Sequence, residues 1–145
     1  LISPAAGANS TIIFTGGNTG NIIENNIIYS RGGIYYIRFV TDAERTNNGP
    51  FDYNQYYLLG SGAGAARFHV NPATDYTFAQ WQALPPAPDA HSADADPVFA
   101  TNYTDLHLQV TSPCIGAGDP TVGILTDYDD VVRGAAVDIG AYEYV

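Results

Sequence analysis

Lysine and methionine are absent from the 145 residues, cysteine and tryptophan occur once each, and charged residues make up only 14% of the chain. An average globular domain carries about 25%. The lone Cys114 excludes an intrachain disulfide, and with no neighbour at metal-ligand spacing it reads as a small buried apolar residue. No apolar run approaches the roughly 20 residues that a helical span needs, so membrane insertion is not expected. The five positive charges are all arginine and stand against fifteen acids, a formal charge of −10. That field repels phosphate backbones and anionic headgroups, which argues against nucleic acid as a partner. It also opposes polyanionic polysaccharides unless a local arginine cluster or a bound cation reverses its sign. The chain opens on Leu1 without a charged-then-apolar leader, as expected of a mature product or a fragment.

What is present points to short strands. Fifteen Gly, nine Pro and eleven Tyr make a turn-rich, aromatic β composition within one domain's length. Thr11 to Phe14, Asn21 to Ile23, Asn26 to Tyr29 and Gly33 to Val40 are brief β-branched or aromatic runs bounded by Gly, Asn or Ser. Laying Glu24-Asn25-Asn26-Ile27-Ile28-Tyr29 over Asp52-Tyr53-Asn54-Gln55-Tyr56-Tyr57 gives a weak internal repeat, in which one Asn can sit above another. A single helix is expected near 77–84. Thr77-Phe78-Ala79-Gln80 has the form of a capping box, Phe78, Trp81 and Leu84 recur every third residue, and Pro85-Pro86 stops the run. Trp81 is read as packing rather than as a sugar platform.

From Asp89 the chain carries a series of ordered motifs: Asp89-Ala90-His91-Ser92, Asp96-Pro97-Val98-Phe99, Asp105-Leu106-His107-Leu108, Ser112-Pro113-Cys114-Ile115-Gly116-Ala117-Gly118, Thr126-Asp127-Tyr128-Asp129 and Val137-Asp138-Ile139-Gly140-Ala141-Tyr142-Glu143-Tyr144. This run resembles the closing segment of secreted bacterial right-handed parallel β-helix surface proteins of the pectate-lyase-like or polysaccharide-lyase-like kind. It departs from them at Gly116, often Asp there, and at Asp129-Asp130-Val131, often Asp-Gly-Asn. The resemblance implies an all-β chain: a right-handed parallel β-helix of a few rungs over residues 1–88, one short helix near 77–84, and an irregular C-terminal cap over 89–145 of the same domain. It also implies a secreted, extracellular or cell-surface location. Asp89, His91, Ser92, Asp96, Arg133, Asp138 and Glu143 are expected to fix that cap, with Arg133 the natural partner of Asp138 or Glu143.

The chemistry-bearing residues admit sharper readings. Asp127, Asp129 and Asp130, with Asp119, could supply oxygens to calcium, although no EF-hand spacing is present; otherwise no cofactor is expected. His91 beside Ser92 lacks the separated elements of a Ser-His-Asp triad, and His69 and His107 have no evident partners in sequence. Tyr35, Tyr36, Tyr53, Tyr56 and Tyr57 could line a carbohydrate-stacking face. The expected function is an extracellular non-catalytic β-solenoid module, structural or adhesive, partnered by copies of itself or by polysaccharide. One alternative is the C-terminal part of a polysaccharide lyase or glycosidase. Its candidates are Arg31, Arg38, Arg45 and Arg67, or the carboxylates Asp42, Glu44 and Asp52, with Glu44 and Arg45 more simply a solvated pair. The other alternative is a carbohydrate-binding module. Asn9-Ser10-Thr11 and Asn102-Tyr103-Thr104 have the form of glycosylation sequons.

Overall fold

The computed structural model describes residues 10–32, 35–60, 65–72, 74–101 and 104–145; both sequon asparagines lie outside them. Eleven short strands are formed among these residues: β1 Ser10–Phe14, β2 Ile23–Glu24, β3 Ile27–Ser30, β4 Tyr35–Phe39, β5 Phe51–Asp52, β6 Gln55–Leu58, β7 Phe68–Val70, β8 Thr74–Tyr76, β9 Ala93–Asp94, β10 Phe99–Thr101 and β11 Asp105–Leu108. Two one-turn helices, α1 Asp42–Thr46 and α2 Phe78–Gln82, and a 3-10 turn at Pro120–Val122 complete the inventory.

The strands gather into four sheets, ordered β1-β4-β7-β8, β2-β5, β3-β6-β9 and β10-β11. The expected parallel β-helix is corrected by this arrangement. The sheets are small and separate, parallel and antiparallel pairings are mixed, and no uniform solenoid runs through them. The physical reason lies in the spacing. Paired positions such as Ile12 with Ile37, Glu24 with Asp52, Ile37 with Phe68 and Gln55 with Ala93 fall at a different separation almost every time, so no single repeat length is maintained. After β7 the chain also turns back antiparallel as β8. The C-terminal part is less irregular than expected, because β10 and β11 form an antiparallel hairpin.

The 28-residue alignment is nevertheless a real pairing. Glu24 meets Asp52, and Ile27 through Ser30 meet Gln55 through Leu58, in parallel register. The stacked asparagines act mainly on backbone. Asn54 Oδ1 accepts from the Asn26 N–H at 3.0 Å while its Nδ2 donates to the Ile23 carbonyl. Amide-on-amide contact occurs at a different pair, Asn21 Nδ2 to Asn48 Oδ1 at 2.6 Å.

Helix α2 starts where its capping box predicts: Thr77 Oγ1 accepts from the Gln80 N–H and Gln80 Oε1 from the Thr77 N–H. The same device, unrecognised in sequence, starts α1, where Thr41 and Glu44 exchange the equivalent bonds. Glu44 is therefore no solvated partner of Arg45. It is buried, and its carboxylate also accepts from the Gly17 N–H. Arg45 instead reaches Asp42 at 2.6 Å and the Pro85 carbonyl.

The core is aromatic. Trp81 lies parallel between Phe68, 4.9 Å away, and Phe39, 5.7 Å away, and Phe14 stacks on the other face of Phe39. Fully burying each such side chain contributes about 1.5–3 kcal/mol. A second cluster joins Ile27, Tyr29, Phe99, Leu108, Cys114 and Ile139, fastening the C-terminal segment to β3. Gly140 makes this contact possible. Its φ is 110°, and a β-carbon there would stand 2.7 Å from Ile27 Cδ1.

Candidate functional site

Beneath Trp81 sits a buried carboxylate. Asp89 is fully covered and accepts from Trp81 Nε1 (2.7 Å), Tyr56 OH (3.0 Å), Asn54 Nδ2 (3.1 Å) and Ser92 Oγ (2.6 Å). Burial pushes its carboxyl upward, and the four donors pull the other way without cancelling the shift. Ser92 Oγ in turn accepts from the Asn54 N–H. Asp89 and Ser92 thus knit α2, the β5–β6 corner and the loop before β9 into one unit, a structural role.

The other residues expected to fix the C-terminal segment are also found holding backbone. Asp96 accepts from the Val98 N–H, and Asp138 accepts from Gly116 and Tyr144. Arg133 pairs with Glu143 at 3.0 Å and donates to the carbonyls, not the carboxylate, of Asp138 and to Gly140. The four aspartates considered for calcium are separately engaged. Asp119 accepts from the Thr121 N–H at the 3-10 turn, and Asp127 accepts from Asp129, Val131 and Glu143 N–H groups. Asp129 faces His107, and Asp130 holds an exposed left-handed turn. Among the described residues no group of three or more His, Cys, Asp or Glu is arranged to hold a metal.

All three histidines have carboxylate partners, none of which sequence spacing suggested. His69 Nδ1 lies 2.5 Å from Asp75, and His91 Nδ1 lies 2.7 Å from Asp52. His107 sits between Asp105 (2.6 Å) and Asp129 (3.1 Å), which hold its pKa above the ordinary value. The tyrosines divide as well. Tyr36 and Tyr56 are core residues and offer no stacking face. Tyr35 leans on His69, Tyr57 on Tyr29, and Tyr53 lies nearly parallel to His91 at 4.7 Å. Cys114 is buried, and burial pushes its thiol up to about 12.

One concave feature that combines acceptors with apolar surface is a cleft of about 280 Å³ between β2–β3 and the C-terminal segment. Tyr29, Phe99, Leu106, Leu108 and Ile139 line it together with Glu24, Asn25, Asp119 and Tyr142. Asn25 and Asp119, 94 positions apart, lock this edge by reciprocal bonds: Asn25 Nδ2 donates to the Asp119 carbonyl, and the Asp119 N–H donates to Asn25 Oδ1. Two of its carboxyls differ in character. Glu24 is raised by burial and by the neighbouring charges of Asp119 and Asp52. Asp119 is lowered by the Thr121 N–H and, less strongly, by nearby His91. Sequence reasoning missed this pair, since each residue sits at a turn-like Asn or Gly-Asp step with no spacing to connect them.

No family model matches the chain, and no curated protein or solved structure matches it either.

Proposed function

We propose that the chain is an extracellular, adhesive, non-catalytic module that holds a neutral glycan in the Glu24–Asp119 cleft. The observation carrying this reading is that hydrogen-bond acceptors on Glu24, Asn25 and Asp119 share one cleft with the apolar surfaces of Leu106, Phe99 and Tyr142. Sugars present the same duality, with hydroxyl donors around C–H faces. Neutral sugars suit it because Arg133, the cation of the lining, is spent on Glu143 and buried, leaving carboxylates to repel uronates. The volume suits about one or two sugar rings. An external location is supported by the motif resemblance. Binding to neutral oligosaccharides on a glycan array, weakened at least tenfold by Glu24→Gln or Tyr142→Ala, is the expected result. Uniform absence of neutral-glycan binding overturns the reading.

One observation favours a second reading, glycoside hydrolysis. A carboxyl raised in pKa and another lowered, lining one cleft, are the pattern of a general acid beside an ionised partner. Reducing-sugar release from any neutral oligosaccharide that binds, abolished by Glu24→Gln with binding retained, would select it over simple adhesion.

A further inference from the structure

We infer that the stacked rings of His91 and Tyr53 form a second sugar subsite, onto which a neutral oligosaccharide too long for the Glu24–Asp119 cleft continues. The inference rests on the glycan reading of that cleft and extends it. Asp52 builds the platform. Its two oxygens accept from the His91 N–H and from Nδ1 of the His91 ring, each at 2.7 Å, and Oδ1 also accepts from the Tyr53 N–H at 2.9 Å. The two rings lie 4.7 Å apart and 12° from parallel. Tyr53 covers one face of the imidazole, yet the His91 side chain is 61% exposed, so its other face and its Nε2 edge are open to solvent. The Asp52 carboxylate selects the neutral tautomer with its proton on Nδ1, which makes Nε2 an acceptor, and Nε2 has no partner among the described residues. A flat ring face beside an open acceptor matches the C–H face and hydroxyls of a sugar. Tyr53 also holds a left-handed φ of 52°, a conformation that suits its counterpart Asn25 (φ 57°) but not a bulky aromatic. Strain of that kind collects at ligand clamps.

The strand register joins this platform to the cleft. Glu24 on the cleft wall pairs with Asp52 in the adjacent parallel strand, and Asn25, on the same wall, therefore stands beside Tyr53. Adjacent strands lie about 4.8 Å apart, close to the advance of one sugar unit along a chain. Electrostatics reports the same proximity: the charge of Asp52 helps to raise Glu24, and that of His91 helps to lower Asp119. The cleft accommodates about one or two rings, so a longer chain has to leave it, and the edge held by Glu24, Asn25 and Asp119 leads toward His91. Carboxylates flank the whole path, which keeps the occupant neutral, because uronates meet repulsion from Glu24, Asp119 and Asp52 alike.

The test is calorimetric titration of the intact chain with neutral gluco-, manno-, xylo- and galacto-oligosaccharides, each as a disaccharide and as a pentasaccharide. In the series that binds, the pentasaccharide should bind about tenfold tighter than the disaccharide. His91→Ala and, separately, Tyr53→Asn, which keeps a residue tolerant of the left-handed turn, should abolish that gain and leave disaccharide affinity within about twofold. Glu24→Gln should weaken both lengths. Should both platform variants fail to fold, NMR of the parent decides: the His91 ring protons should shift with the pentasaccharide and stay in place with the disaccharide. Disaccharide binding with no gain in length, a gain that survives both variants, or His91 signals unmoved by the pentasaccharide overturns the second subsite and leaves the cleft reading standing. Pentasaccharide binding that needs His91 but is indifferent to Glu24→Gln keeps the platform and overturns the cleft. Absence of binding at either length overturns both.

Discussion

Replacing Asp89 tests the central claim about how the core is organised. Asp89→Ala strands the Trp81 indole N–H, the Asn54 amide and the Tyr56 hydroxyl, all at fully buried side chains. Each unsatisfied buried donor costs about 1–3 kcal/mol. Alanine must also hold the left-handed φ of 56°, at about 1 kcal/mol or more. Against this stands the relief of removing a buried charge, so the net loss is about 4 kcal/mol, within the range for breaking a buried charged network. For a chain of this size that lowers Tm by about 8–16 °C. Asp89→Asn keeps the shape and tolerates the left-handed backbone, so it should lose only about 1–2 kcal/mol. Its pH dependence is diagnostic. The raised native pKa means the folded state holds this proton more tightly than the unfolded one. The associated stability is complete below the unfolded value near 3.8 and is lost as pH rises through the folded pKa. The gap between parent and Asn variant, measured by urea unfolding followed by circular dichroism, should therefore be widest in acid. A gap that is flat or grows toward neutral pH, or an Ala variant melting within about 2 °C of the parent, refutes the reasoning.

Three further outcomes follow from the C-terminal segment. Asp127 is lowered although burial opposes it, because N–H groups of Glu143, Val131 and Asp129 and the charge of Arg133 outweigh that burial. Its stabilisation should be present above its unfolded pKa and lost as pH falls through the folded one, a loss absent from Asp127→Asn in thermal melts across pH. Gly140→Ala should cost about 2–4 kcal/mol by denaturant titration, from strain at positive φ and the clash with Ile27, and Ile27→Val in the same chain should recover part of it. Chelator should leave Tm within about 1 °C of the untreated protein, and a calcium-dependent rise would show that the turn from Asp127 to Asp130 rearranges to bind it.

Local signals were legible and distant ones were not. The Thr77–Gln80 capping box, the burial of Trp81 and the 28-residue register of Glu24 on Asp52 are written in contiguous residues, so the sequence discloses them. Glu44 belonged to the same grammar, since Thr41-x-x-Glu44 is also a capping box, but an adjacent Arg45 suggested a solvated pair. The β-helix expectation failed because two paired blocks do not set a period, and later pairings such as Gln55 with Ala93 use different spacings. Partners like Asp52 for His91, or Asp119 for Asn25, depend on which loops meet in space. No residue pattern near either member announces the other.

The chain's one tryptophan stands against Asp89 in the middle of a ring stack, among eleven tyrosines that can pass excitation to it. The molecule therefore has a built-in optical gauge with a single, known location. Its emission reports on the hydrogen bond to Asp89 and on the packing of Phe68 and Phe39 together, so opening of this unit can be timed without any attached label.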